Sequence, residues 1–154
     1  IQIEAPIAKV QAVLADVENY PTWSTGIKSV AVESSDSSNR PIRVASSIDA
    51  GVMKDKVTLN YDWSKFPNEI SFDLEDADLL IEMNGIFKIS GEDDDVKVEY
   101  QLEVKLSLPV PAPMREKTEL ATIDLFLKQR LKLNFVIKHR HRRWWHQGPR
   151  WSCR

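Results

Sequence analysis

Between residues 27 and 108 the chain keeps an apolar period of two, and this constrains its fold more than any other feature. Val57, Leu59, Tyr61 and Trp63 alternate with Lys56, Thr58, Asn60 and Asp62. Val96, Val98, Tyr100, Leu102, Val104, Leu106 and Leu108 alternate with Lys97, Glu99, Gln101, Glu103 and Lys105. Residues two apart share one face of a strand, so each run reads as a strand with one apolar and one wet face. Val30 with Val32, Ile42 with Val44, Ser46 and Ile48, and Ile70 with Phe72 and Leu74 extend the pattern, as do Leu79, Ile81, Met83, Phe87 and Ile89. Polar or proline-bearing turns fall at 34–39, 66–68 and 91–95. Gly85 interrupts its strand and suggests a bulge there. The reading is an antiparallel meander of six or seven strands.

Helical signals flank the meander. Ala5-Pro6 opens a helix, with proline in the first turn where its missing N–H costs nothing, and Ile7, Val10, Leu14 and Val17 follow at helical spacing. Tyr20-Pro21 ends that helix, and a second short piece runs toward Gly26. After the stiff corner of Pro109, Pro111 and Pro113, residues 114–135 read as one long helix. Its apolar stripe is Leu120, Ile123, Leu127 and Leu131, with Phe126 beside it. The fold class is therefore α+β, a long curved antiparallel sheet wrapped around a C-terminal helix with two short N-terminal helices. One helix, ~10 Å across with its side chains, does not cover the concave face of so large a sheet. A pocket between sheet and helix is the expected consequence.

Charge divides the chain. Of the 21 Lys and Arg, six fall from Ile137 onward where there is no acid, so the preceding body sets 15 bases against 23 Asp and Glu. An acidic body excludes nucleic acid as the domain's expected partner. No apolar run approaches the ~20 residues of a membrane-spanning helix. The single Cys153 and the lack of a secretory leader point to the cytoplasm. Residues 1–135 read as the domain and 136–154 as a basic aromatic tail. All three His, three of the five Trp and the only Cys fall in that tail. Its composition is that of frame-shifted or vector-derived sequence, and a native basic tail docking on the acidic body is the alternative. His139, His141, His146 and Cys153 match no paired zinc-ligand spacing. With no glycine-rich phosphate loop either, neither metal nor nucleotide cofactor is expected.

The order strand, two short helices, six strands, long helix resembles the START-like helix-grip superfamily. Ile3-Glu4-Ala5-Pro6-Ile7 with Val10 and Asp16, then Tyr20-Pro21-Thr22-Trp23, resembles the opening of its polyketide cyclase/dehydrase and lipid-transport branch. The stretch from Ile48-Asp49-Ala50-Gly51 through Met53-Lys54-Asp55, with Tyr61-Asp62-Trp63 and Ile123-Asp124, is similar to small actinobacterial cyclase/dehydrase-like proteins. The resemblance covers about residues 1–129. It implies a carrier or an enzyme built on one pocket, because such folds host several functions.

Candidate ligand-binding residues are the large side chains expected to face inward: Trp23, Met53, Leu59, Tyr61, Phe72, Met83, Phe87, Tyr100 and Phe126. Taken singly, each reads most simply as core. As a set they suit an irregular apolar ligand, with tyrosine as a polar handle. Cyclase or dehydratase chemistry needs a general acid or base facing the pocket. No inward strand position is expected to carry Asp, Glu or Lys, and Asp124 reads first as a flank paired with Lys128. The leading expectation is therefore binding or transport of a lipid, quinone or polyketide-like molecule, without an assigned reaction. A polyketide cyclase/dehydrase is the runner-up, and a protein-interaction module like the ribosome-associating relatives is third. The assembly is left open, a homodimer among the options.

Overall fold

The computed structural model describes residues 1–51, 53–92 and 95–107. The long helix expected at 114–135, with Phe126 and Asp124, and the tail 136–154 lie outside the described residues.

The alternating segments form one antiparallel sheet of seven strands in the order β1-β7-β6-β5-β4-β3-β2. These are β1 (Gln2–Ile3), β2 (Ile27–Ser35), β3 (Pro41–Asp49), β4 (Lys54–Asp62), β5 (Glu69–Ala77), β6 (Leu80–Glu92) and β7 (Asp95–Leu106). From β2 to β7 each strand pairs with the next in the chain, the arrangement that short turns impose. β1 pairs with the far strand β7, Gln2 opposite Lys97 and Ile3 opposite Val96. The two sheet edges are thus consecutive in sequence, and the chain between them must cross the sheet.

That crossing is α1 (Ile7–Ala15) followed by a 3-10 helix (Val17–Thr22). Val10, Val13 and Leu14 form the buried face of α1 and join Val96 and Val98 in one core. At ~1.5 to 3 kcal/mol for each large apolar side chain removed from water, this face holds the helix in place. The 3-10 helix packs against β2 and contains Pro21, so the chain turns instead of continuing α1. The first helix therefore ends at Ala15, two residues short of the expected Val17, and Pro6 is its N-cap instead of its first turn.

Two expectations for β6 are corrected. Gly85 is paired regularly with Phe72 and with Leu102, and the irregularity lies four residues earlier, between Leu80 and Glu82. That irregularity shifts the alternation by one residue, so Leu80 is buried and Ile81, expected inward, is 64% exposed. Gly85 has a different reason to be glycine. A Cβ there would lie 2.1 Å from the Phe72 ring, which occupies the space above it.

The convex face carries cross-strand ion pairs. Arg43 on β3 bridges Glu33 on β2 and Glu75 on β5. Lys105 pairs with Glu82 across β7 and β6. Among the described residues no helix is long and apolar enough to cross a membrane.

Candidate functional site

The cross-strand register places aromatic side chains in one row on the concave face. Tyr61 of β4 lies opposite Phe72 of β5, and Phe87 of β6 lies opposite Tyr100 of β7. Ring centroids are 5.4 Å apart for Tyr61 and Phe72, 6.5 Å for Phe72 and Phe87, and 4.3 Å for Phe87 and Tyr100. The last pair is stacked at 14°, and the others are tilted, a spread that buried aromatic pairs commonly take. Trp63 extends the row beyond Tyr61 at 6.0 Å and meets Phe66 edge-on at 5.6 Å. Its indole N–H donates to the Pro41 carbonyl at 2.5 Å, tying the end of β4 to the start of β3. Arg40 lies 6.0 Å from the Trp63 ring centre and 5.9 Å from that of Phe66, closing that end with cation–π contacts.

Tyr20 lies on the 3-10 helix and is buried. It packs edge-on against Trp23 at 4.8 Å, and its hydroxyl donates to the Leu14 carbonyl at 2.5 Å. Burial raises its pKa well above the ordinary tyrosine value, with the nearby Tyr61 and Tyr100 hydroxyls adding to the shift. Burial also raises Tyr61 and Tyr100, the latter helped by Tyr61. Three strand spacings separate the Tyr61 and Tyr100 backbones, about 14 Å in a flat sheet. At neutral pH all three are uncharged phenols.

The sequence-selected residues do not all meet in one place. Tyr61, Phe72, Phe87 and Tyr100 form the row, and Leu59 lies next to it on β4, opposite Val44 and Leu74. Trp23 is buried beside Tyr20. Met53 is half-buried in the turn between β3 and β4, and Met83 is half-buried on β6 opposite Val104, which is 40% exposed. Along β7 the inward side chains pass from buried Val96 and Val98 to partly exposed Tyr100, Leu102 and Leu106. Among the described residues, the apolar side of β7 is therefore less buried toward its end.

One expectation about charge is overturned. Asp55 shares the inward face of β4 with Val57, Leu59 and Tyr61, and it is the one buried carboxylate among the described residues. Its oxygens accept N–H bonds from Lys56 at 2.9 Å, Asp78 at 3.1 Å, Leu79 at 3.2 Å and Leu80 at 3.0 Å. The turn between β5 and β6 therefore wraps its amides around the carboxylate. Six residues of extended strand separate Asp55 from Tyr61, roughly 20 Å. Asp55 holds a turn and does not serve the aromatic row. Sequence reasoning also passed over Tyr20, taken only as part of a helix break, and Thr25, whose Oγ1 is buried without a hydrogen-bond partner among the described residues.

The sequence matches the family described as polyketide cyclase / dehydrase and lipid transport over residues 3–128, and the chain belongs to that family. The START-like resemblance is thereby borne out. No curated protein matches the chain. A START superfamily protein from Mycobacterium smegmatis superposes with a TM-score of 0.76 at 21% identity, covering 90% of this chain and 93% of that one. A protein from Thermus thermophilus gives a TM-score of 0.76 at 16% identity, with the same coverage. The Zhui aromatase/cyclase from a Streptomyces species gives 0.72 at 17% identity, covering 93% of each chain. At these identities the likeness is one of fold.

Proposed function

We propose that the chain binds a hydrophobic small molecule, a lipid, quinone or polyketide-like compound, against the concave face of its sheet. The observation that carries this reading is the aromatic row from Tyr61 through Phe72 and Phe87 to Tyr100. A row of rings gives a wide apolar surface with few rotatable bonds, and its two tyrosines add hydroxyls at either flank. The exposed apolar surface at Met83 and Val104 supports the same reading, since it offers an apolar molecule a way onto that face. Phe126, on the helix expected beyond residue 113, would face the row from the other side. Family membership agrees with a carrier and with a cyclase alike.

The cyclase/dehydratase reading stands second. It needs a base near the row, and Asp55 is both distant and occupied by four backbone amides. The test of binding is mass spectrometry of organic extracts of the purified protein, together with titration of a fluorescent hydrophobic probe. A co-purifying apolar compound and one-to-one probe binding are expected. Phe87→Trp or Tyr100→Trp is expected to weaken the probe with the melting temperature preserved. Absence of any stoichiometric apolar ligand overturns the proposal.

A further inference from the structure

We infer that the sheet carries a seam between the ends of β5 and β6, held shut by Asp55, and that an apolar ligand reaches the concave face through it. The inference rests on the binding role proposed above. The ladder itself outlines the seam. β5 and β6 are paired from Glu69–Lys88 up to Asp73–Asn84, and among the described residues no pair joins 74–77 to 80–83. Each strand instead stays with its outer neighbour. Leu74, Asp76 and Ala77 remain opposite Leu59, Thr58 and Val57 of β4, while Leu80, Glu82 and Met83 remain opposite Leu106, Lys105 and Val104 of β7. The sheet thus ends in two leaves, parted over roughly 13 Å of strand.

The residues along the seam explain why it does not zip. Continuing the register of Asp73 and Asn84 would set Glu75 directly opposite Glu82, and like charges facing each other destabilise a strand pair. Each carboxylate turns instead to a cation on its own leaf, Glu75 to Arg43 on β3 and Glu82 to Lys105 on β7. Each strand also carries a bulge beside the seam. Glu75 is the extra residue against β4, and Ile81 the extra residue against β7. A bulge bends and twists its strand, which turns both edges away from the plane that a ladder needs.

Asp55 supplies the closure that the ladder lacks. It stands on β4, in the first leaf, and its carboxylate accepts the amide of Leu80, the first residue of β6, at 3.0 Å. The amides of Asp78 and Leu79 in the turn reach the same carboxylate. Besides the turn itself, one side chain therefore joins the two leaves at the tip, and the Asp73–Asn84 pair joins them at the root. The root lies next to Phe72 of the aromatic row, which is paired with Gly85. Leu74 and Met83 flank the seam on the inward side and are only partly buried. Parting the leaves uncovers apolar side chains beside the row and breaks no ladder pair, so the motion is opposed chiefly by the Asp55 contacts.

The probe is N-phenyl-1-naphthylamine, a neutral apolar dye that brightens on leaving water, followed by stopped-flow fluorescence. Amide exchange of the full chain is read alongside by NMR. Amides of 74–77 and 80–83 are expected to exchange together, and faster than those of 69–73 and 84–89. Asp55→Asn should speed probe association and dissociation alike by about tenfold, the effect of weakening one charge-assisted contact, with affinity nearly unchanged. Ile81 offers a test that leaves the core alone, because it is 64% exposed and stands opposite Asp76 in the continued register. Ile81→Lys should slow both rates by about threefold through pairing with Asp76, and Ile81→Glu should speed them as much. High salt should bring the two variants together. Melting temperatures verify that all three fold. If the parent binds the dye but the charge at position 81 leaves both rates unchanged, the binding reading survives and this inference falls. It falls also if 74–83 exchange no faster than the rest of the hairpin, or if the variants change affinity and not the rates together. Should the parent not bind the dye, both readings fall.

Discussion

Asp55→Ala should be the most damaging single polar substitution in the described part of the sheet. The carboxylate is buried and accepts amides from Lys56 and from three successive residues of the β5–β6 turn, Asp78, Leu79 and Leu80. Bonds to a charged acceptor contribute about 1.5 to 3 kcal/mol each, and removing the acceptor leaves the donors to find other partners. Asp78 and Leu79 are only partly buried and regain water after a small opening. The Leu80 amide is buried at the start of β6 and cannot. Counting the full penalty for Leu80 and part of it for the other two gives about 3 to 4 kcal/mol. For a domain of this size that is roughly a 10 °C fall in melting temperature. Asp55→Asn keeps one acceptor oxygen but turns an amide NH2 toward the N–H donors, so it should fall between parent and alanine. Circular dichroism melts measure the loss, and amide hydrogen exchange locates it. Leu79 and Leu80 should lose protection before the rest of β6 does. If Asp55→Ala melts within about 2 °C of the parent, with Leu80 still protected, the carboxylate is not what secures the turn.

Gly85→Ala should destabilise by about 1 to 3 kcal/mol, because its Cβ meets the Phe72 ring at 2.1 Å, and a urea midpoint unchanged from the parent would refute this. The three tyrosines hold their protons in the folded state at pH values where the unfolded chain has lost them. Their stabilising contribution is therefore complete below about pH 10 and lost as pH rises above it. Absorbance at 295 nm should stay flat through about pH 10 and rise only with unfolding; a rise in the folded protein near that pH would contradict the burial of the hydroxyls. Trp63→Phe removes the donor to the Pro41 carbonyl and should cost about 1 to 2 kcal/mol in a thermal melt. Deleting residues 136–154 is expected to leave the melting temperature and probe binding unchanged; a clear loss of either would make the tail part of the domain.

The sheet was legible because a half-buried strand writes its burial as alternation. β4 and β7 do so without a break, and Tyr61, Phe72, Phe87 and Tyr100 all fall on the phase expected of them. What the pattern hides is cross-strand information. Gly85 looks like an interruption until its neighbour Phe72 is known to lie above it. The real break near Ile81 is masked by three successive apolar residues, Leu79, Leu80 and Ile81, that fit either phase equally well. Asp55 was missed because its partners are backbone amides 23 to 25 positions later, and an amide has no letter of its own. Tyr20 sits where one helix gives way to the next and no period assigns it to a face, and only the 3-10 helix brings it against Trp23 and the Leu14 carbonyl.

The pairing of β1 with β7 also sets an order of assembly. Every strand contact from β2 to β7 is between neighbours in sequence, so those hairpins close short loops and form one after another. Gln2 and Ile3 must instead wait for Lys97 and Val96, some ninety residues away. On a ribosome the N-terminal segment would emerge first and dock last, with the apolar face of α1 uncovered in the interval. Substitutions at Ile3 or Val96 should accordingly speed unfolding and leave the folding rate nearly unchanged, the kinetic mark of a contact absent from the transition state.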